Sequence, residues 1–230
     1  MDDLNILYED NHLIAVNKST SDLVQGDKTG DVTLADRIKS YIKIKYNKPG
    51  DVFLGVVHRL DRPVSGVVLY ARTSKALARM NKLFQDREVD KLYWAVVKQQ
   101  PEKTEDKLVH WLVRNQKQNK SYAYDSERKD AKKAILSYRT ISKLTNYSLL
   151  EVRLETGRHH QIRCQLAKIG SPIKGDLKYG FARSNPDGGI SLHARSVTFV
   201  HPVQNKEITV VADPPENDNL WQAFLNSITQ

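Results

Sequence analysis

Two β-branched runs, Val52 to Val57 and Val67 to Ala71, flank a polar segment, His58-Arg59-Leu60-Asp61-Arg62-Pro63-Val64-Ser65-Gly66. Short apolar runs punctuated by Pro and Gly read as buried strands joined by a tight connection, which places Asp61 on a loop held by rigid core. Upstream, Ile6 to Glu9 and Leu13 to Lys18 form two more strand-like runs meeting at Asp10-Asn11, and a polar, glycine-containing loop follows to Gly30. Between Thr33 and Tyr46, Leu34, Ile38, Tyr41 and Ile42 recur at helical spacing with lysines on the other faces, and Pro49-Gly50 ends the segment. A second helix is expected from Ser74 to Arg87 on the stripe Leu77, Met80, Leu83 and Phe84, with Thr73 or Ser74 as its N-cap. Lys91 to Val97 then reads as a strand whose period of two sets Tyr93 and Trp94 on opposite faces.

Residues 101 to 133 are the most polar stretch, yet Val109, Trp111 and Val113 alternate as a strand does. Ala134 to Tyr138 and Ser148 to Leu154 look like an antiparallel pair around Thr145-Asn146. Glu155 to Ala167 is expected to be helical up to Gly170 and Pro172, with Arg158, His159, His160, Gln161 and Arg163 crowding its first turns. Ser196 to Val200 and Glu207 to Ala212 add strands, and Leu220 to Leu225 a closing helix. Many strands with a few inserted helices, and no regular alternation of the two, indicate an α+β fold with a mixed, mainly antiparallel sheet, taken as one domain over residues 1–230.

Composition narrows the class. No run approaches the roughly eighteen apolar residues of a membrane helix, and Met1-Asp2-Asp3 is acidic where a secretory signal is basic, so the expected compartment is the cytoplasm. The one cysteine, Cys164, rules out an internal disulfide framework. A formal net charge of +9 points to a polyanionic partner, and nucleic acid is the favoured one. Within 114–133, basic residues surround Tyr122 and Tyr124, a pattern suited to phosphates and unstacked bases; the plainer reading is a hairpin whose charges keep it soluble.

Asp61 between Arg59 and Arg62 admits two readings: a solvated surface turn, or a carboxylate kept ionised at the mouth of a core. The cations and donors around Arg158 and His160 favour an anion, and a partly buried Arg163 calls for a bidentate carboxylate, for which Asp61 is the candidate. His159, His160, Cys164 and His193 lack any paired metal-ligand motif, so no metal site is expected.

The motifs His58-Arg59-Leu60-Asp61 with Ser65-Gly66, Lys91-x-Tyr93-x-Ala95, Thr156-Gly157-Arg158-x-His160-Gln161-Ile162-Arg163, Gly175-Asp176-x-x-Tyr179-Gly180 and Leu192-His193-Ala194 with His201-Pro202 resemble, in order and spacing, the RluA family of RNA pseudouridine synthases. The likeness runs over roughly residues 6 to 212, with Val64, Ser19, His159 and Gln165 standing where the family commonly has Thr, Pro, Thr and His. The chain resembles the catalytic domain alone, without the small amino-terminal S4-type RNA-binding domain of many relatives.

The resemblance implies a long sheet with flanking helices and a catalytic cleft across its middle, and isomerisation of uridine to pseudouridine in RNA, an rRNA stem-loop such as one of 23S rRNA or a tRNA arm, with no cofactor. Asp61 matches the essential aspartate, which attacks C1′ or takes a ribose proton. Tyr93 matches the ring that stacks on the uracil, and Arg163 the basic partner of the aspartate. Arg59 matches an arginine filling the gap left by the flipped base. Ile162 is expected to line the pocket, and Arg62, Arg158 and His160 to bind the RNA. A monomer is expected. The rival readings are a non-catalytic RNA-binding or chaperone protein with the same basic cleft, and a nuclease or glycosidase; hydrolysis wants an activated water and usually a second carboxylate or a metal cluster, and the motif around Asp61 holds no second acidic residue.

Overall fold

The computed structural model describes residues 4–26 and 30–228; residues 1–3, 27–29 and 229–230, among them part of the loop expected before Gly30, lie outside it. In chain order the elements are β1 (Ile6–Glu9), β2 (Leu13–Lys18), α1 (Leu34–Lys45), β3 (Gly55–Val56), β4 (Ser65–Ala71) and α2 (Ser74–Asp86). These are followed by β5 (Asp90–Val97), β6 (Glu105–Asn115), β7 (Lys120–Tyr124), β8 (Lys132–Lys143), β9 (Ser148–Leu154) and α3 (Gln161–Lys168). A 3₁₀ turn (Leu177–Tyr179), β10 (Leu192–Val200), β11 (Glu207–Val211) and α4 (Asn219–Ile228) complete the order. The fold is α+β, and its sheet is mixed and mainly antiparallel. Two compact units divide the chain: residues 1–89 with 194–214, and residues 90–193 with 215–230.

In the first unit, β2 pairs antiparallel with β1 on one side and with β4 on the other. Every residue of β4 is buried, because both faces of these strands are covered. Ile14, Val16, Val68 and Tyr70 meet Leu34, Ile38 and Ile42 of α1, while Leu13, Ala15, Val67 and Leu69 meet Ala76 and Met80 of α2. Thr33 caps α1 in a reciprocal box with Asp36. Such a cap stabilises by about 1 kcal/mol, whereas each buried aliphatic side chain contributes about 1.5–3 kcal/mol, so packing holds the helix and the cap sets where it starts.

The strand expected over Val52 to Val57 is reduced to Gly55 and Val56, which pair with Ala71 and Tyr70. Past that point the next amide of β4, Leu69 N, donates 3.1 Å to His58 Nε2. A side chain thus takes the place of a backbone partner, and the chain is released from the sheet just ahead of Asp61.

In the second unit the strands run in the order β5-β9-β8-β6-β7, each pair antiparallel. β6 forms where alternation suggested, but its buried face is Leu108, His110 and Leu112, and Val109, Trp111 and Val113 lie on the more open side. Cys164 of α3 packs with Leu112, Ala134 and Tyr179. Trp221 and Phe224 of α4 cover Trp94, Val96 and Leu149, which makes Trp94 a core residue and turns Tyr93 to the other face of β5. Among the described residues no helix is long and apolar enough to cross a membrane.

Candidate active site

Asp61 sits in a turn closed by Val64 N donating 3.0 Å to the Asp61 carbonyl. The turn is pinned from below by Lys18, the last residue of β2, which is 1% exposed. Its ammonium donates to the carbonyls of Ser19 (2.8 Å), Arg62 (2.9 Å) and Val64 (2.8 Å), matching its three N–H groups to three acceptors. Burial pulls the Lys18 amine down from 10.5 to about 8, against the charges of Asp22 and Asp61, which favour the ammonium. At neutral pH a positive charge therefore stands beneath the Asp61 carboxylate, offsetting part of its desolvation. Arg62 is exposed, reaching Ser21 O (3.1 Å) and Asp31 (3.4 Å), and Arg59 is exposed as well. After the turn, Gly66 has a φ of 113°, and a Cβ there would lie 2.3 Å from the Ala194 carbonyl oxygen, so only glycine fits this approach.

In the second unit, α3 starts later than the sequence suggested, at Gln161. The Gln161 side chain folds back, accepting from Thr156 Oγ1 (2.8 Å) and Arg158 N (2.9 Å) while donating to Ile135 O (3.0 Å). This ties 156–158 to β8 and holds Arg158, His159 and His160 outside the helix, His160 with a φ of 53°. Gln165 of the same helix is fully buried and donates from Nε2 to His110 Nδ1 (2.9 Å), which satisfies that imidazole nitrogen inside the core, while Gln165 Oε1 is buried without a hydrogen-bond partner among the described residues.

Arg163, on the first turn of α3, is nearly fully buried and grips Asp176 in a fork: Nε to Oδ2 is 2.7 Å and Nη2 to Oδ1 is 2.9 Å. Its guanidinium lies 5.1 Å from the centre of the Tyr179 ring. Tyr179 OH in turn bonds Ser121 N (2.8 Å) and His160 Nδ1 (3.0 Å), and the His159 and His160 rings stack at 3.8 Å. Asp176 is the carboxylate that sequence reasoning missed as an Arg163 partner; thirteen residues and a turn separate the two, and no periodicity links them. The one signal was its place in Gly175-Asp176-x-x-Tyr179-Gly180.

Tyr93 is half-buried on β5 opposite Val152. Ile162 and His160 are buried, and Arg158 donates from Nε to Lys133 O at 3.1 Å. Cys164 is buried, its thiol 3.2 Å from Ser121 O and pushed up to about 12 by that burial. The open face of the β6–β7 hairpin carries cation–ring pairs: Arg128 lies 3.9 Å over Tyr124, Lys120 5.5 Å over Tyr122 and Lys133 5.9 Å over Trp111. Rings held flat under cations are suited to stacked bases and their phosphates.

A family model described as RNA pseudouridylate synthase matches residues 12–168. Ribosomal large subunit pseudouridine synthase D of Zymomonas mobilis subsp. mobilis is 32% identical over 227 residues, covering 94% of this chain and 71% of that one. The tRNA pseudouridine synthase C of Haemophilus ducreyi is 32% identical over 250 residues, covering 97% and 95%. The solved structure of human RNA Pseudouridylate Synthase Domain Containing 4 shares the fold, with a TM-score of 0.78 at 23% identity over 98% of this chain and 93% of that one. On the motifs, the matched model and these relatives together, the chain belongs to the RluA family of RNA pseudouridine synthases, isomerases that convert uridine to pseudouridine within RNA.

Proposed function

We propose that the chain isomerises specific uridines of a structured RNA, an rRNA stem-loop or a tRNA arm, with Asp61 as the catalytic carboxylate. The observation that carries the assignment is the Lys18 anchor: a buried ammonium spends two of its donors on the carbonyls of Arg62 and Val64, in the turn that directly follows Asp61. A solvated surface turn has no need of so costly a support.

In this reading Asp61 acts on the ribose, by attack at C1′ or by removal of a ribose proton, and the C1′–N1 bond breaks. The freed uracil turns and C5 bonds to C1′, breaking the Asp61–C1′ bond in the first route or with the ribose proton returned by Asp61 in the second. The proton then leaves C5 while N1 gains one, so the product is an isomer, Asp61 is regenerated and no cofactor is consumed. Tyr93 stacks on the base and assists loss of the C5 proton. Arg163, held in place by Asp176, is the basic partner of Asp61. Arg59 fills the gap left by the flipped base, Ile162 lines the pocket, and Arg62, Arg158 and His160 contact the RNA. The cation–ring face of the β6–β7 hairpin grips RNA beyond the target nucleotide. Residues 1–230 act as one catalytic domain, in the cytoplasm and as a monomer.

The test is carbodiimide-based mapping of pseudouridine in total RNA from cells with and without the gene. A site that vanishes on deletion and returns with the wild type but not with Asp61→Ala establishes the chemistry and names the substrate. A site restored equally by Asp61→Ala overturns the role of Asp61. Deletion without loss of any site moves the reading to an RNA-binding protein using the same basic surface.

A further inference from the structure

A cavity of about 640 Å³ opens in the second unit among the end of β5, the β8–β9 turn and the segments on either side of the 3₁₀ turn. Lys98, Lys174 and Arg183 line it together with the rings of Tyr147 and Phe181, and no carboxylate is among its lining residues. Among the described residues none of the three cations has a carboxylate within ion-pairing distance, in a chain where Lys45, Arg72, Arg139, Arg153 and Arg195 all do.

Lys174 is held in place. Its Nζ donates to Asn185 Oδ1 at 2.6 Å, and Asn185 is itself buried and fixed by donating to Ser191 Oγ at 3.1 Å. Gly175 lies so close to Asn185 that a Cβ there would come within 2.7 Å of the amide, so the backbone wedges Asn185 from the other side. The partner that positions Lys174 is a neutral amide, which orders the ammonium without cancelling its charge. Three uncompensated cations around one cavity repel each other until an anion enters, and two aromatic rings at the same cavity offer flat apolar surface.

We infer that this cavity binds a phosphate together with the base attached to it, and that the occupant is a nucleotide of the substrate RNA away from the target uridine. The inference rests on the RNA-substrate reading for its source of phosphate. Lys174 supplies the fixed charge, exposed Lys98 and Arg183 close on the phosphate, and Tyr147 or Phe181 carries the base. The size suits one nucleotide, within the range of small-ligand sites.

The test uses the full chain and two probes, a fluorescein-labelled twelve-residue oligouridylate read by anisotropy and free UMP read by ¹H–¹⁵N spectra. Lys98→Gln/Arg183→Gln removes two exposed charges, and Lys39→Gln/Lys43→Gln on α1 removes the same charge elsewhere. The expected result is an oligouridylate affinity about five- to tenfold lower for the first variant, with the log–log salt slope reduced by about 0.7 for the one single-strand phosphate contact, and little change for the second. UMP shifts confined to Lys174, Phe181 and their neighbours, lost in Lys174→Gln while oligouridylate binding stays intact, assign the same site to a free nucleotide and overturn the RNA source. Equal losses in both charge variants, or indifference of both probes to the cavity variants, overturn the site. Binding needs no turnover, so these outcomes are independent of whether Asp61 proves catalytic.

Discussion

The Lys18 ammonium lies 2.9 Å from the carbonyl oxygen of Arg62, the residue directly after Asp61. Its folded value of about 8 against an ordinary 10.5 means that the unfolded chain binds more protons between those limits. The contribution of Lys18 to stability is therefore least below pH 8 and rises by about 3 kcal/mol as pH climbs to about 10.5. Over the same range the amine falls from three N–H groups to two, and one of its three carbonyls loses its donor. Two readouts should move in opposite directions. The urea-midpoint difference between wild type and Lys18→Met should climb from pH 8 to 10.5, while turnover falls with a midpoint near 8 as the turn loosens. A difference that stays flat with pH would show that Lys18 is not titrating there.

Gly66 and Ala194 make a second close constraint in the same unit. A methyl group at Gly66 would meet the backbone oxygen of Ala194 at 2.3 Å and its nitrogen at 2.6 Å, at a φ of 113°. Neither strand can yield without breaking its pairing, so Gly66→Ala should cost about 3 kcal/mol or more. Gly157→Ala, where nothing lies within 4 Å of the added carbon, serves as the neutral comparison. Chemical denaturation of the two variants side by side reads the difference, and equal midpoints would refute the steric argument.

Arg163 and Asp176 should behave as one unit. Asp176→Ala leaves a buried guanidinium without its fork partner, which typically costs about 3–5 kcal/mol. Asp176→Asn keeps the shape and one acceptor, so it should fold with a smaller loss and lower kcat more than it raises KM, because its effect on the uridine passes through Arg163. A normal kcat in Asp176→Asn would separate Arg163 positioning from catalysis.

Much of this arrangement was legible in the chain. Thr33 and Thr73 cap the helices that follow them, the apolar period of α1 and α2 reports their buried faces, and β4 reads as a continuous apolar run because helices cover it on both sides. What stayed hidden depends on contacts distant in sequence. His58 ends β3 by taking the Leu69 amide, and Gln161 delays α3 by bonding Thr156, Arg158 and Ile135. Alternation located β6 but not its buried side, since both sets are largely apolar and the only polar member of the inner set, His110, is satisfied by Gln165. Within the candidate site, the residue types at Asp61, Tyr93 and Arg163 were readable, whereas their supports Lys18 and Asp176 were not: a lysine closing an apolar strand and an aspartate in a loop look like surface residues until their partners are seen.

Cys164 offers a check on the second unit's packing. Burial holds its thiol at about 12, so at pH 8 almost none is thiolate, the form that reacts. Iodoacetamide should leave the native chain unmodified and label it once urea unfolds it. Rapid labelling of the native chain would mean that α3 does not stay closed over Leu112 and Tyr179.

The hairpin face separates charge from stacking in a way that one titration can read. Lys117, Arg128 and Lys133 are exposed, and the last two lie over Tyr124 and Trp111. If they meet phosphates, each alanine replacement should lower RNA affinity and reduce the log–log salt slope by about 0.7 to 0.9, depending on whether the contact is single- or double-stranded. Tyr122→Ala and Tyr124→Ala remove no charge, so they should weaken binding by about 1–3 kcal/mol per stacked base with the slope unchanged. Asp61→Asn should bind as the wild type does while losing turnover. Lysine variants with an unaltered slope would remove this face from the RNA surface, and tyrosine variants that alter the slope would mean that the rings serve only to hold their cations.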